Sequence, residues 1–374
     1  MQGDTKGDLR LFAVAQPGIE EITARELKDL GIEGKVVPGG VEFGGNLETL
    51  YKANLHLRTA SRVLARLCTF KAKHFAELVR KAKKCPWENF LTEELPLKIR
   101  VTSKKSKLYH TKAIEERIWK AINEALGFTP PKAKFEDEGT SVIVRFENDI
   151  CTISINSSGA ILHKRGYRKN EVEAPLRENL AAAMILVSGW RGDTPLIDPF
   201  CGSGTIPIEA AMIAANIPPG INREFAFMRW KNFDETLWER IKEEALKNVK
   251  SVKVPIIGYD IDPKAIESAI ENAKSANVLE VLEFKNQSFP KDSITENATI
   301  ITNPPYGVRI PIKNVERIYR MFGDWVENYF KNYKVLFLSP SKRLANLTGL
   351  NSKLLTFFSN GGITVGLYES RKNL

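Results

Sequence analysis

The sequence predicts an α/β protein in which a mostly parallel sheet, covered on both faces, forms the C-terminal half and smaller α+β units precede it. Three observations carry that expectation. From residue 175 onward, helical and buried-strand patterns alternate, as they do where helices cover both faces of a parallel sheet. A glycine-rich turn, Asp198-Pro-Phe-Cys-Gly-Ser-Gly-Thr205, joins a buried strand directly to an apolar helix. Before residue 160, short alternating strands mix with amphipathic helices, and residues 1–170 hold 30 Lys and Arg against 21 Asp and Glu, nearly all of the chain's net charge of +10.

The chain's 374 residues are enough for two or three cores. A composition of 43% hydrophobic and 27% charged residues excludes disordered and collagen-like classes. The longest apolar run, Leu180 to Val187, falls far short of the ~20 residues that span a bilayer, so no membrane partner is expected. Asp4, Lys6, Asp8 and Arg10 open the chain without an apolar stretch behind them, so no signal peptide is expected. Cys68, Cys85, Cys151 and Cys201 form no CxxC pair, which predicts neither a disulfide framework nor a zinc site, and a reducing cytoplasm is the expected location. The four histidines are dispersed, and no metal is expected.

In chain order, Leu11–Ala15 reads as a strand, Ile19 to Leu30 as a helix stopped by Gly31, Val41–Phe43 as a strand and Leu47 to Leu55 as a helix. These make a first α+β unit over 1–66. A second, over 67–160, has a short helix at Phe75–Val79, a strand at Leu97–Val101, a long helix from Ile114 closed by Gly127, and a hairpin of Val142–Phe146 with Cys151–Ile155. Residues 52–112 hold 16 basic and 4 acidic side chains, a concentration that attracts polyanions. Between strand and long helix, Arg100, Lys104, Lys105 and Lys107 could hold phosphates while Tyr109 and His110 stack on bases. His163-Lys-Arg-Gly-Tyr-Arg168 opens a basic linker, 161–174, whose Lys164 and Arg165 extend this RNA-binding set.

The domain from 175 to 374 carries the chemistry. After a helix from Leu176 to Val187, Pro195–Asp198 ends a buried strand, and the turn Asp198, Pro199, Phe200, Cys201, Gly202, Ser203, Gly204, Thr205 leads into the helix Ile206–Ala215. Its glycines allow close backbone approach, and the helix start offers unpaired N–H groups, which suits a nucleotide-like cofactor. No Gly-Lys-Ser/Thr follows, so this is not a phosphate-binding P-loop. The strand Pro255–Tyr259 ends at Asp260, placed to accept hydrogen bonds from ribose hydroxyls, and Asp262-Pro263 reads as an N-cap with proline at the first helical position. Residues 216–250, with Trp230 and Trp238, form an insertion expected to wall the mouth of the site. Gln287-Ser288, at the end of the strand from Leu282, stands where an adenine contact is expected.

Thr299–Thr302 runs into Asn303-Pro304-Pro305-Tyr306-Gly307. The prolines end the ladder and fix the backbone, so that the Asn303 side chain and the Pro304 carbonyl present two acceptors to one point while Tyr306 offers a stacking face. That set suits a planar base bearing an exocyclic amine.

These two motifs resemble those of amino-group methyltransferases that use S-adenosylmethionine. With Asn54–Thr59, Ser106–His110, His163–Arg168 and Asp198–Met212, nearly the whole chain resembles the THUMP-domain RNA methyltransferases. Within them it is similar to a bacterial branch labelled adenine-specific DNA methylase and to the N-terminal half of the large-subunit ribosomal RNA guanine-N2 methyltransferase. The resemblance implies a ferredoxin-like N-terminal unit, a THUMP module for structured RNA, a Rossmann-like methyltransferase domain and S-adenosylmethionine as cofactor. It places Asn179, in Leu176-Arg-Glu-Asn179, at the methionine part of that cofactor. Many relatives carry an acidic residue where this chain has Gln287-Ser288.

The expected reaction is methyl transfer to the N2 amine of a guanosine, in large-subunit ribosomal RNA or alternatively transfer RNA. An Asn-Pro-Pro-Tyr motif also serves adenine-N6 DNA methylation, but the basic excess lies upstream of it and the ~70 residues after Asn303 leave no room for a DNA-reading domain. A silent RNA-binding factor and a protein-glutamine methyltransferase are further alternatives. Cys201 lies in the cofactor turn, which argues against covalent attack on a cytosine.

Overall fold

The computed structural model describes residues 8–135, 138–168, 176–290, 297–306 and 312–372, which form two compact units. The first comprises residues up to 15, 24–162 and 223–244; the second comprises 16–23, 163–222 and 245–374. Along the chain come β1 (Leu9–Val14), α1 (Glu20–Asp29), β2 (Gly34–Val37), β3 (Gly40–Gly45), α2 (Leu47–His56), β4 (Arg62–Lys71), α3 (Phe75–Ala82), β5 (Leu97–Lys104), α4 (Thr111–Leu126), β6 (Thr140–Glu147) and β7 (Ile150–Asn156). They are followed by α5 (Glu178–Ser188), β8 (Leu196–Asp198), α6 (Thr205–Ala214), α7 (Glu235–Lys247), β9 (Ile256–Asp260), α8 (Pro263–Ser275), β10 (Leu282–Asn286) and β11 (Asn297–Thr302). The chain closes with α9 (Ile312–Tyr329), β12 (Asn332–Ser339), α10 (Lys342–Asn346), β13 (Lys353–Asn360) and β14 (Ile363–Lys372).

The first unit holds one sheet in the order β2-β3-β1-β4-β7-β6-β5. Its joint is β4, which pairs antiparallel with β1 on one side and β7 on the other. The sequence pattern did not mark this strand, because its partly covered second half breaks the inward–outward alternation. The β6–β7 turn places Asn148 and Asp149 at φ of 51° and 64°, left-handed conformations that Asn and Asp tolerate in tight hairpins. Helix α4 ends at Gly127, whose φ of 79° closes it in the left-handed region.

Two expectations change here. Cys68 and Cys85 are joined in a disulfide between β4 and the turn after α3, with Cα atoms 5.7 Å apart. A separation of 17 residues belongs to no motif, so only the fold reveals the pairing. Within the expected wall 216–250, residues 223–244 belong to the first unit. The Arg223 guanidinium donates to the carbonyls of Ala160 and Ile161 at 2.8 Å, and Phe227 stacks on Tyr51 at 4.5 Å with Trp238 edge-on beside them. Within the first unit, aromatic burial orders this segment.

The second unit's sheet runs β10-β9-β8-β11-β12-β14-β13. The strands from β10 to β12 are parallel, and β14 turns antiparallel to β12. Strand order reverses around β8, the point in such sheets where ligands sit beyond the carboxyl ends. Asp262 caps α8 by accepting from the Lys264 N–H at 2.9 Å, with Pro263 at the first turn. Helix α9 buries Tyr319, Phe322, Trp325 and Val326 against Val335 and Phe337 of β12. Gly323 lets α9 touch the segment after α10, since a Cβ there would lie 1.6 Å from the Thr348 carbonyl oxygen. Gly323→Ala is therefore expected to lower unfolding stability by about 3 kcal/mol, measured by denaturant titration, with cofactor affinity falling because α9 also lines the cleft described next.

Candidate cofactor and substrate site

A cleft of about 550 Å³ opens at the carboxyl ends of β8, β9 and β11 in the second unit. The turn after β8 supplies Asp198, Pro199, Phe200, Cys201, Gly202 and Ser203, and Thr205 opens α6 beside it. Asp260 joins from β9, and Asn303 with Pro305 from the end of β11. Residues a hundred positions apart thus meet in one cleft.

Hydrogen bonds set the loops around two carboxylates. Asp198, 1% exposed, accepts from the Thr302 hydroxyl at 2.7 Å and the Phe200 N–H at 3.1 Å. Burial pushes its carboxyl up to about 7, with the nearby Asp260 adding to the rise and the two hydrogen bonds opposing it. Asp260 accepts the Gly202 N–H on one oxygen and the Asp262 N–H on the other, each at 2.9 Å. Both bonds to Asp198 fall on Oδ1, so its Oδ2 and the two Asp260 oxygens, each with one bond, retain acceptor capacity for a ligand. Gly202 has a φ of +52°, and nothing lies within 4 Å of where its Cβ would stand, so the backbone here is open to close approach. The Cys201 thiol is held well above its usual range, first by burial and then by Asp198 and Asp260, so it stays protonated.

Two buried polar atoms lining the cleft, Asn303 Oδ1 and Ser203 Oγ, have no hydrogen-bond partner among the described residues. An unsatisfied buried acceptor costs about 1–3 kcal/mol, which a bound donor would recover. The lining fits a nucleoside cofactor carrying positive charge: a buried carboxylate, a half-buried one beside it, open glycine backbone and apolar walls. Those walls are Phe289, Ile318, Met321 and Ile261, the last 75% exposed. Ile318 and Met321 lie on α9 away from its Phe322–Trp325 core face, a spacing the sequence shows without revealing which side meets a ligand.

Other expected residues stand elsewhere. Gly204 does not line the cleft; its φ of +81° starts α6, and a Cβ would come 3.0 Å from Ala269 and 3.1 Å from Phe284, so it serves helix packing. Of the expected pair, Gln287 is exposed beyond β10 with its N–H on the Lys285 carbonyl, while Ser288 lines the cleft together with Phe289. Asn179 is buried in α5 outside the lining, although Leu176 nearby is part of it. Pro304 is buried behind Asn303. Tyr306 is half-buried and receives the Asn360 amide on its hydroxyl at 2.8 Å, while Gly307 lies outside the described residues. The sequence reading passed over Arg168, which donates to Glu178 at 3.0 Å, to the Leu176 carbonyl at 3.1 Å and to Thr205 Oγ1 at 3.0 Å, bracing two edges of the cleft.

The basic set divides. Lys104, Lys105, Lys107, Tyr109 and His110 stand exposed on a loop in the first unit, as Arg100 does on β5. Asp149 anchors that loop by accepting the Lys107 N–H at 2.7 Å while its own N–H reaches Ser106 Oγ at 2.9 Å. Tyr109 is 65% exposed, with its ring centroid 4.1 Å from that of His110. Lys164 is exposed in the second unit. Arg165 is not available to RNA: its side chain is 2% exposed and paired with the fully buried Glu209 at 3.4 Å, to which the Tyr167 hydroxyl also donates at 3.2 Å. A desolvated guanidinium needs such a partner, and position in a basic run does not show which residue turns inward.

Two measurements follow from these charges. Asp198 binds a proton in the folded state up to about pH 7 but in the unfolded chain only up to about pH 4, so stability is full at low pH and falls as pH rises through 7. Asp198→Asn keeps both acceptor bonds and should unfold at a higher temperature than wild type at pH 8, with the difference shrinking at pH 5. Glu209→Gln removes the carboxylate charge against the buried Arg165 and should cost about 3 kcal/mol by denaturant titration, whereas Arg165→Met combined with Glu209→Leu should recover much of that loss.

The profile of the RMKL-like methyltransferase domain matches residues 165–363. The RlmL ferredoxin-like domain matches 10–64 and the THUMP domain 72–156. The chain is 36% identical to Bacillus subtilis YpsC, a protein assigned as an RNA methyltransferase, over 96% of this chain and 95% of that one. It is 33% identical to the ribosomal RNA large subunit methyltransferase K/L of Syntrophotalea carbinolica, covering 95% of this chain but 52% of that protein. The crystal structure of SMU.472 in complex with SAH superposes with a TM-score of 0.89 at 33% identity, covering 99% of this chain and all of that one. A turn after β8 and an Asn-Pro-Pro-Tyr segment after β11, meeting in one cleft within a chain matched along nearly its full length, make this protein a member of the RMKL-like methyltransferase family.

Proposed function

We propose that this chain is an S-adenosylmethionine-dependent RNA methyltransferase that modifies the exocyclic N2 amine of a guanosine in large-subunit ribosomal RNA. The observation that carries the reading is Asn303 Oδ1, buried at the cleft without a partner and next to the rigid Pro304-Pro305 step. When bound, the cofactor supplies a methyl group on a sulfonium sulfur. Asp260 would hold its ribose hydroxyls, the Gly202–Ser203 backbone its close approach, and Ile261 and Phe289 the faces of its base. Asp198 would meet its positive charge.

At the amine, Asn303 Oδ1 and the Pro304 carbonyl would each accept one hydrogen. The amine lone pair is delocalised into the ring and gains nucleophilicity only as the nitrogen becomes tetrahedral. Acceptors aimed at its hydrogens bind the developing positive charge more strongly than the ground state, which lowers the barrier. Pro305 holds this geometry and Tyr306 supplies a stacking face for the base. Cys201, kept protonated, takes no part as a nucleophile.

The basic first unit supports an RNA substrate, as do the THUMP match and the name of YpsC. The K/L relatives support the ribosomal target, although the chain spans about half of their length. The test is methyl transfer from labelled cofactor to unmodified total RNA, fractionated by size and analysed as nucleosides. N2-methylguanosine in the large ribosomal RNA is expected, with Asn303→Ala losing about 100-fold or more in rate while retaining cofactor affinity. Label in transfer RNA would move the target, and label confined to DNA or protein would overturn the reading.

A further inference from the structure

The first unit contains a groove of about 800 Å³ between α3 and α4 that lies outside the Lys104–His110 loop. Phe75, Ala76 and Val79 of α3 form an apolar floor. Arg80, Lys83 and Lys84 stand along one rim, and Arg117 and Lys120 of α4 along the other. Glu124 is the sole carboxylate in the lining, 3.7 Å from both Lys83 and Lys120, so five cations face one anion. The Arg117 guanidinium lies 5.5 Å from the Phe75 ring centroid, a planar cation set against an aromatic face. The rim is held in place: Trp87 Nε1 donates to the Ala82 carbonyl at 2.8 Å, and Cys85, directly after Lys84, is bonded to Cys68.

We infer that this groove binds a single-stranded segment of RNA, its phosphates along the two cationic rims and one base against the Arg117–Phe75 pair. The inference rests on the reading of the chain as an RNA methyltransferase and names a surface for the substrate. The charge is complementary to a polyanion, and flat guanidinium and aromatic planes are the usual platforms for unpaired bases. A duplex keeps its bases stacked inside and presents only backbone, which would leave Phe75 and Val79 facing water. An acidic peptide would satisfy the rims without using the planar pair.

The test compares binding of a fluorescein-labelled RNA strand of about 12 nucleotides, within the site sizes of such platforms, with binding of a blunt RNA duplex and a polyglutamate peptide. Arg80→Gln, Lys84→Gln and Lys120→Gln combined remove three exposed charges. This variant should bind the strand about tenfold more weakly and lower the salt slope by about 2, because each phosphate contact on a single strand contributes about 0.7. Arg117→Lys retains the charge and should lose the preference for strand over duplex. Unchanged unfolding temperature and SAH affinity would show that the variants fold. Equal binding of the strand by wild type and the triple variant would overturn the groove assignment and leave the RNA reading standing, as would tighter binding of polyglutamate than of the strand. Failure of the wild type to bind any RNA would overturn the RNA reading itself.

Discussion

The hydrogen bond from the Thr302 hydroxyl to the buried Asp198 carboxylate ties the two halves of the site together. Asp198 ends β8 and begins the glycine turn; Thr302 ends β11 and precedes Asn303. Parallel pairing brings these strands side by side, with Ile300 opposite Ile197, and the Asp198–Thr302 bond fixes their carboxyl ends where the chain leaves the sheet. Asp198 also accepts the Phe200 N–H, and Asp260 accepts the Gly202 N–H, so one carboxylate orders the start of the turn and the other its middle. The cost is a carboxyl pushed up to about 7 by burial. Such a group favours a cationic ligand and gives the cleft a chemical preference as well as a shape.

The charge is divided along the sequence rather than between the two units. Nearly all of the net positive charge lies in residues 1–170, while the remaining residues are close to neutral. A long-range positive field suits a polyanion, whereas a site that must desolvate a base and a cofactor is better served by apolar walls and a few placed acceptors. The basic loop after β5 is shaped through its backbone: Ser106 Oγ donates to the Lys104 carbonyl, and the Asp149 carboxylate accepts the Lys107 N–H.

Arg165 and Lys164 show how far burial separates neighbours. They are adjacent in a run of basic residues and look alike in sequence. One is sealed against Glu209 and Tyr167 between the linker and α6; the other faces solvent. Arg168, three residues on, braces Leu176, Glu178 and Thr205. Within the described part of the stretch that reads as a basic linker, Arg165 and Arg168 are turned inward onto carboxylates.

The strand–turn–helix around Asp198–Thr205, the acidic end of β9, the cap at Asp262 and the Asn303–Tyr306 step were legible in the amino-acid order alone. Each of these depends on contiguous residues whose backbone preferences act locally. The helix–strand alternation after residue 175 was legible for the same reason, since periodicity reports one element at a time. It took the folded chain to show that β4 joins the first sheet, that Cys68 meets Cys85, and that 223–244 packs on Tyr51. The fold likewise showed that Gly204 serves packing while Gly202 faces the cleft, that of Gln287-Ser288 it is Ser288 that lines the cleft, beside Phe289, and that Arg165 is paired. Burial and partnership are set by residues far away in the chain, and a carboxylate, a guanidinium or a thiol carries no mark in sequence of which neighbour will exclude water from it.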